Sequence, residues 1–424
     1  MKFTRRKLLL ATAAGFMAAP TILARADDKV TLRVTHGAPT YLKMLGALKD
    51  AFNAQDPNLA VEFVTDGDNW DPLLQNTLRE AVVGDLPDGT WQSITYAPLL
   101  ARRGLAQPLT ALAAETKDLQ TLGIARPLAE ATMLDGKVYA VPFGTTIPVV
   151  YYNMDLLRKA GYQAQELPKT WDEIIAIGKK VLALDPKING GYFEYGSTNA
   201  WLFQNLLASH GGRMMQPGGT DIAFNGAEGL KSLEVLWQFG EINTVDMTIE
   251  QSRQAFNAGA SGIQVRTASG IGAVAKAAAG HFELGIGEFP IPASGGRLVG
   301  AGHSFIMFTK DRRRQEAFTK FARFAAGPAG QSILAANTGY LPVNTDLLND
   351  PKFIADYFQK NPYHRPVLAK LGVTGDQYSF PSDNTVKIVE MMSEEMRQVL
   401  VHQVQPADAL KTMADQARSL LQKA

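Results

Sequence analysis

The sequence predicts an α/β protein of two lobes, each a sheet flanked by helices, joined by strands that cross from one lobe to the other. Three observations lead there. Strand-like and helix-like patterns alternate along the chain from residue 30. Two long apolar runs, 138–153 and 284–308, are extended in character and broken by Gly and Pro. The length, 424 residues, exceeds what one hydrophobic core usually supports, so two domains are expected.

Residues 1–26 are set aside first. They open on Met1-Lys2-Phe3-Thr4-Arg5-Arg6-Lys7, continue through a small apolar stretch to Ala19, and end on Ala24-Arg25-Ala26. A basic start, a short apolar core and a small-x-small end read as an export signal, with the mature chain starting near Asp27. Arg5-Arg6, with Leu8 and Leu9 behind it and Arg25 beside the cut site, fits twin-arginine export. An ordinary Sec signal that carries two arginines is the alternative. The apolar core is too short to span a bilayer, and no later run is long and uncharged enough to do so. This segment holds five of the 42 Lys and Arg and no acid, which leaves 37 bases against 41 acids and a net charge of −4. That balance argues against a nucleic-acid or anionic-membrane surface. There is no cysteine, hence no disulfide, no thiolate metal site and no lipoprotein anchor. The expected location is a periplasm.

The elements follow in order. Val30-Thr31-Leu32-Arg33-Val34 alternates apolar and polar side chains, as a half-buried strand does. Leu42, Leu45, Leu48 and Phe52 recur at helical spacing, with Pro57 just beyond. Val61-Glu62-Phe63-Val64 is strand-like again, so residues 30–64 form a βαβ unit and imply a parallel sheet covered by helices. Thr170 with Glu173 predicts a capping box ahead of Ile174, Ile177 and Val181. Asn225 with Glu228 predicts another ahead of Leu230, Leu233 and Trp237. Pro406 opens the last helix. The runs VYAVPFGTTIPVVYYN (138–153) and LGIGEFPIPASGGRLVGAGHSFIMF (284–308) are too long for one strand and too apolar for a surface loop. A chain that crosses between lobes and returns would look like this. The expected division is 27–143 with 300–345 in one lobe, and 144–299 with 346–424 in the other.

Catalytic motifs are absent. There is no G-x-S-x-G elbow, Walker A loop or H-E-x-x-H. The G-x-G pairs at Gly270/Gly272, Gly285/Gly287 and Gly300/Gly302 lack the third glycine of a dinucleotide site. The histidines at 36, 210, 281, 303, 364 and 402 form no i, i+4 pair. No cofactor or metal is expected, and the chain reads as a non-enzyme. A glycosidase carboxylate pair need not be close in sequence, so a secreted glycoside hydrolase is the rival reading, although most of the 41 acids are expected on solvated surface. A periplasmic adaptor that binds another protein is a third.

Aromatic residues in turn-rich settings carry more information. Trp70 follows Asp66-Gly67-Asp68-Asn69, Trp201 follows Gly196-Ser197-Thr198-Asn199-Ala200, and Tyr340 lies in Thr338-Gly339-Tyr340-Leu341-Pro342. Sugars and polyols stack their C–H faces on such rings, while their hydroxyls take amide and hydroxyl partners. Each ring could equally pack its loop onto its own lobe.

Residues 141–174, VPFGTTIPVVYYNMDLLRKAGYQAQELPKTWDEI, resemble the extracellular solute-binding proteins of carbohydrate ABC importers. Their pattern there is Pro-Phe, small polar residues, an apolar strand ending Tyr-Tyr-Asn, a helix with Ala-Gly, then Pro-x-Thr-Trp. His303-Ser304-Phe305-Ile306-Met307, the helix with Phe318 and Phe321, and the Gly339-Tyr340-Leu341-Pro342 block agree as well. The similarity covers nearly the whole mature chain, and within the family it points to the glycerol-3-phosphate-binding branch. The resemblance implies the type II periplasmic binding protein fold, ligand capture by lobe closure and delivery to the transmembrane subunits of an ABC permease. A monomer with no nucleic-acid partner is expected. Ligand contacts carry over residue by residue. Trp70 stands where the branch has a Tyr. Thr146, with Thr145 beside it, and Ser269 stand for its serines, Ala301 and Gly302 for its backbone contact, and Tyr340 for its Tyr. Lys387 replaces an arginine near the C-terminus, keeping the charge but losing the fork. The branch's ligand-binding glutamate has no counterpart: Ile94 stands there, flanked by Gln92 and Ser93. With His36 and Trp201 these form the expected site. The missing glutamate leaves a neutral sugar or another polyol derivative open beside a glycerol phosphate.

Overall fold

The computed structural model describes residues 29–422 apart from 114, 115, 197, 218, 220, 244, 371–373, 381 and 383. The expected export signal lies outside the described residues, as does Ser197 ahead of Trp201. The strands of the first half are β1 (Val30–His36), β2 (Leu59–Thr65), β3 (Gly89–Ser93), β4 (Met133–Leu134), β5 (Lys137–Val138), β6 (Ala140–Thr146) and β7 (Pro148–Asn153). Those of the second are β8 (Asn189–Phe193), β9 (Ser261–Thr267), β10 (Leu284–Glu288), β11 (Leu298–Met307) and β12 (Thr374–Asp376).

They form two main sheets, one in each lobe, with β12 joined to the first only through Leu298–Gly300, the end of β11 that packs in the second lobe. The first runs β12-β11-β3-β1-β2, with β6 also paired to β11; the second runs β10-β7-β9-β8. The alternation in Val30–Val34 becomes a parallel pairing of β1 with β2, Leu32 opposite Val61 and Val34 opposite Phe63. Leu32 and Val34 are fully buried on the sheet while Thr31 is exposed. The intervening helix, Leu42–Asn53, buries Met44, Leu45, Leu48 and Phe52. This is the predicted βαβ unit.

Both apolar runs cross as their Pro and Gly content suggested. β6 lies in the first sheet, Ile147 follows, and β7 begins the second at Pro148, the strand-start position where a missing N–H is tolerated. β10 belongs to the second sheet. β11 pairs with β3 and β6 in the first, and its opening residues Leu298 and Val299 pack in the second lobe's core. That core gathers Trp171, Phe193, Phe239 and Phe289. The other centres on Trp91, Phe143, Phe305 and Phe321, with Leu74, Tyr96, Leu100 and Ile306 in a smaller cluster.

Helix starts were partly legible. Thr170 accepts from the Glu173 amide at 3.2 Å, and Glu173 accepts from the Thr170 amide at 3.1 Å, closing the predicted box on Trp171–Leu182. The box expected at Asn225 does not form. The helix Ala227–Gly240 is capped by extended Gly226, with no side-chain cap bond, so Glu228 sits one position too early to reach back. An unpredicted box joins Thr248 and Gln251 ahead of Ile249–Asn257. Pro406 does open the last helix, Pro406–Gln422.

Candidate ligand-binding site

The C-terminal ends of β1, β3 and β6, the middle of β11 and the start of the helix Trp70–Val83 bring a train of rings together. The Trp70 ring lies tilted on His303 with centroids 4.0 Å apart, His303 meets Tyr340 edge-on at 5.0 Å, and Tyr340 lies 5.2 Å from Tyr41. Trp91 backs the train, 5.1 Å from Trp70 and 5.9 Å from His303. Trp70 begins its helix because Asn69 caps it, accepting the Trp70 amide at 2.8 Å. Tyr41 ends a short 3-10 turn anchored by His36, whose Nδ1 accepts from the Ala38 amide at 3.2 Å and whose Nε2 lies 3.3 Å from Thr65 Oγ1. His36 therefore shapes the turn that carries Tyr41.

A ladder of hydroxyls faces this train from the crossing strands. Thr146 Oγ1 lies 3.0 Å from Thr267 Oγ1, which lies 3.0 Å from Ser269 Oγ. The Tyr340 hydroxyl lies close enough to those of Tyr41 and Ser269 to be influenced by both, so the ladder adjoins the rings. Thr145 and Leu341 exchange backbone hydrogen bonds, the Gly339 amide donates to Ser269 O at 3.1 Å, and Thr145 Oγ1 donates to Ala301 O at 3.2 Å. The lobe crossing is thereby stitched at the site itself. At Gly339 a Cβ would stand 2.5 Å from Ala268 O and 2.7 Å from Ser269 O, so only glycine permits this approach.

Three buried nitrogens in the group lack partners among the described residues. Gln92 accepts the Ser93 amide through Oε1 at 2.7 Å, which leaves its Nε2 unbonded, and Trp91 Nε1 and His303 Nδ1 are likewise unbonded. A buried donor left unmet costs about 1–3 kcal/mol, and a ligand hydroxyl could meet it. The imidazoles are neutral at pH 7: burial pushes His303 down to about 3 and His36 to about 4. Burial, then the neighbouring Tyr41, holds the Tyr340 hydroxyl well above its ordinary range. The ring train thus carries no charge. Its chemistry is stacking and hydrogen bonding.

Of the expected residues, Trp70, Thr146, Ser269 and Tyr340 join this group directly. Gln92 and Ser93 end β3 beneath it, and Thr145, Ala301 and Gly302 form the strand crossing alongside. Trp201 is 4% exposed and its indole N–H donates to Val299 O at 2.7 Å, so it anchors β11 to the helix Trp201–Ser209. Lys387 is exposed on the first turn of the helix Thr385–Leu400 and makes no hydrogen bond or ion pair among the described residues. Its neighbour Val386 packs on the first lobe's smaller cluster. Pro381 and Asp383, which precede that helix in sequence, are outside the described residues. Tyr41, His303 and Thr267 were not predicted. Tyr41 shares the signal of the other rings, an aromatic in a turn-rich stretch, and His303 stands inside a block already singled out. A hollow of about 320 Å³ lies at the lobe junction between Asp71 and Tyr195, Gly196, Glu390 and Arg397. A larger one of about 610 Å³, lined by Met154, Tyr162 and Leu284, is on the second lobe away from the rings.

Two lobes bridged by crossing strands, with rings and hydroxyls gathered at the crossing, define a two-lobed solute-binding protein. The chain belongs to the bacterial extracellular solute-binding protein family, whose pattern it matches over residues 47–362. It is 26% identical over 309 residues, 68% of each chain, to the sn-glycerol-3-phosphate-binding periplasmic protein UgpB of Agrobacterium fabrum. Two solved structures share the fold. UgpB of Mycobacterium tuberculosis in complex with glycerophosphocholine superposes with TM-score 0.81 at 18% identity, covering 93% of this chain and 99% of that one. The substrate-binding protein Lmo0181 of Listeria monocytogenes in complex with cycloalternan gives 0.80 at 20%, covering 92% and 99%. Among the described residues no helix is long and apolar enough to cross a membrane.

Proposed function

We propose that this protein captures a sugar or polyol-type ligand in the periplasm, a glycerol-phosphate-like one included, by closing its lobes. It then hands the ligand to the transmembrane subunits of an ABC permease, with no chemistry of its own. The observation that carries this is the uncharged train Trp70–His303–Tyr340–Tyr41 joined to the hydroxyls of Ser269, Thr267 and Thr146. Rings and hydroxyls together suit a ligand with C–H faces and many OH groups. The ligands named for relatives, a glycerol phosphate, a glycerophosphodiester and a cyclic sugar, share that character. In this reading the lobes comprise 27–143 with 300–345 and 144–299 with 346–424. Closure couples binding to permease recognition, because only the closed form completes both surfaces.

Thermal-shift screening of the mature protein against sugars, polyols and glycerophosphodiesters tests it. A ligand at a hundred times its Kd adds about 2.7 kcal/mol of stability. Saturable one-to-one binding without turnover is expected. Hydrolysis of an aryl glycoside, or no stabilisation by any member of the panel, would overturn it.

A further inference from the structure

Beside the neutral rings lies a charged cluster with one cation too many. Glu194, just past β8, is almost fully buried and accepts from Arg253 through both oxygens, Nε to Oε1 and Nη2 to Oε2, each at 2.8 Å. Arg266, near the end of β9 and 7% exposed, places its Nε 3.5 Å from the same Oε1. Gln264 completes the shell, its Nε2 3.4 Å from Oε1. One carboxylate therefore faces two guanidinium groups. Glu250, one turn from Arg253, is exposed and bonded to Gln254, so it reaches Arg253 only as a weak, solvent-screened charge and leaves the buried Arg266 unmatched.

Arg266 is poorly satisfied for so buried a cation. Its Nε has no hydrogen-bond partner among the described residues, and Nη1 reaches only Gln264 Oε1 at 3.5 Å. The guanidinium lies over the Tyr151 ring, 5.5 Å from its centroid, and Tyr151 donates to Thr267 O at 2.7 Å. Thr267 is a rung of the hydroxyl ladder, so the cluster adjoins the candidate site. Arg253 is about one-third exposed, and its bonds to Glu194 use Nε and Nη2. Its charge bears on the hydroxyls of Tyr41 and Tyr340, the end of the ring train.

We propose that Arg253 and Arg266, held by Glu194, form the subsite for an anionic oxygen group on the ligand, a phosphate or carboxylate carried by the polyol or sugar that stacks on Trp70 and Tyr340. This rests on the sugar or polyol reading above. A buried net charge is costly unless paired, and an anion arriving on lobe closure supplies the missing partner. The guanidinium fork suits carboxylate and phosphate oxygens. In this reading charge recognition lies with residues of β9 and the helix Ile249–Asn257 rather than with Lys387.

The test titrates the full mature protein with matched pairs, glycerol against sn-glycerol 3-phosphate and glucose against glucuronate. The wild type should prefer the anionic member of at least one pair, less so as salt rises. R253Q should weaken that member about ten- to hundredfold, the loss of a hydrogen bond to a charged group, and leave the neutral member near its wild-type affinity. K387M should retain the preference. E194Q is the second arm: releasing Arg253 should strengthen anion binding even where the melting temperature falls, which a purely structural bolt would not do. If R253Q keeps the preference, or both variants weaken neutral and anionic probes alike, the subsite is refuted and the sugar or polyol reading stands. If no probe binds the wild type, both readings fall.

Discussion

Thr198 Oγ1 donates to Asn69 Oδ1 across 3.3 Å, tying the turn before Trp201 in one lobe to the cap of the Trp70 helix in the other. Asn69 Oδ1 also holds the Trp70 amide, so the atom that places the stacking ring is the atom that latches the lobes. Thr198→Val removes the latch and leaves the cap. An exposed hydrogen bond of this kind contributes about 0.5–1 kcal/mol, so ligand affinity should drop two- to fivefold by about that energy. Isothermal titration would detect it. A T198V protein with unchanged affinity shows the lobes close without this contact.

Trp70→Ala and Tyr340→Ala should each weaken ligand binding by about 1–3 kcal/mol, the range for a large apolar side chain leaving a buried contact. Tyr340→Phe separates ring from hydroxyl: stacking survives while the hydroxyl that adjoins those of Ser269 and Tyr41 is lost. Its loss should be smaller than that of Y340A. Equal losses in the two variants would place the effect in the hydroxyl alone.

Buried imidazoles give the fold an acid limit. Burial disfavours the cation and pushes His36, His303 and His364 down to about 4, 3 and 4, against 6.5 in the unfolded chain. The unfolded state binds more protons below pH 6.5, so stability from these groups is complete above that value. It declines as pH falls from about 6.5 towards 3–4. Melting temperature should be flat from pH 8 to 7 and then fall, and His303→Gln should make the fall shallower. A flat profile to pH 5 contradicts this account.

Gly339→Ala would drive a Cβ into the carbonyls of Ala268 and Ser269. Overpacking of this sort costs about 1–3 kcal/mol. Both melting temperature and ligand affinity should fall, because the crossing and the hydroxyl ladder share this contact. A variant with lowered stability but intact affinity would show that the ladder is held from elsewhere.

Local rules carried the reading of the fold a long way. Period-two alternation fixed β1, Pro148 and the glycines marked the crossings, and Thr170-x-x-Glu173 wrote its own cap. Where a single residue shifted the register, as Gly226 did, the rule failed. The site was legible one residue at a time and not as an assembly. Trp70 and Tyr340 stood out as rings in turns, yet they meet through His303, and Tyr41 lies 5.2 Å from Tyr340 although most of the chain separates them in sequence. Glu194 shows the limit of composition. An acid is expected on the surface, but this one is buried because two arginines from other segments converge on it, which no local pattern announces.

Val299 and His303 stand four residues apart on β11. The Val299 amide donates to Asn205 Oδ1 at 2.8 Å, and its carbonyl accepts from Trp201 and Asn205, all within the second lobe. His303 is held among Trp70, Trp91 and Tyr340 on the first. In the division proposed above, rotation of one lobe against the other is then absorbed by the torsions of Gly300, Ala301 and Gly302, by the partner strand around Ile147 and by the third crossing near residue 345. The arc is set by these few peptides, whereas affinity is set by side chains on either bank. Selection can therefore exchange one solute for another by recolouring the walls, and the importer downstream still receives a stroke of the same shape.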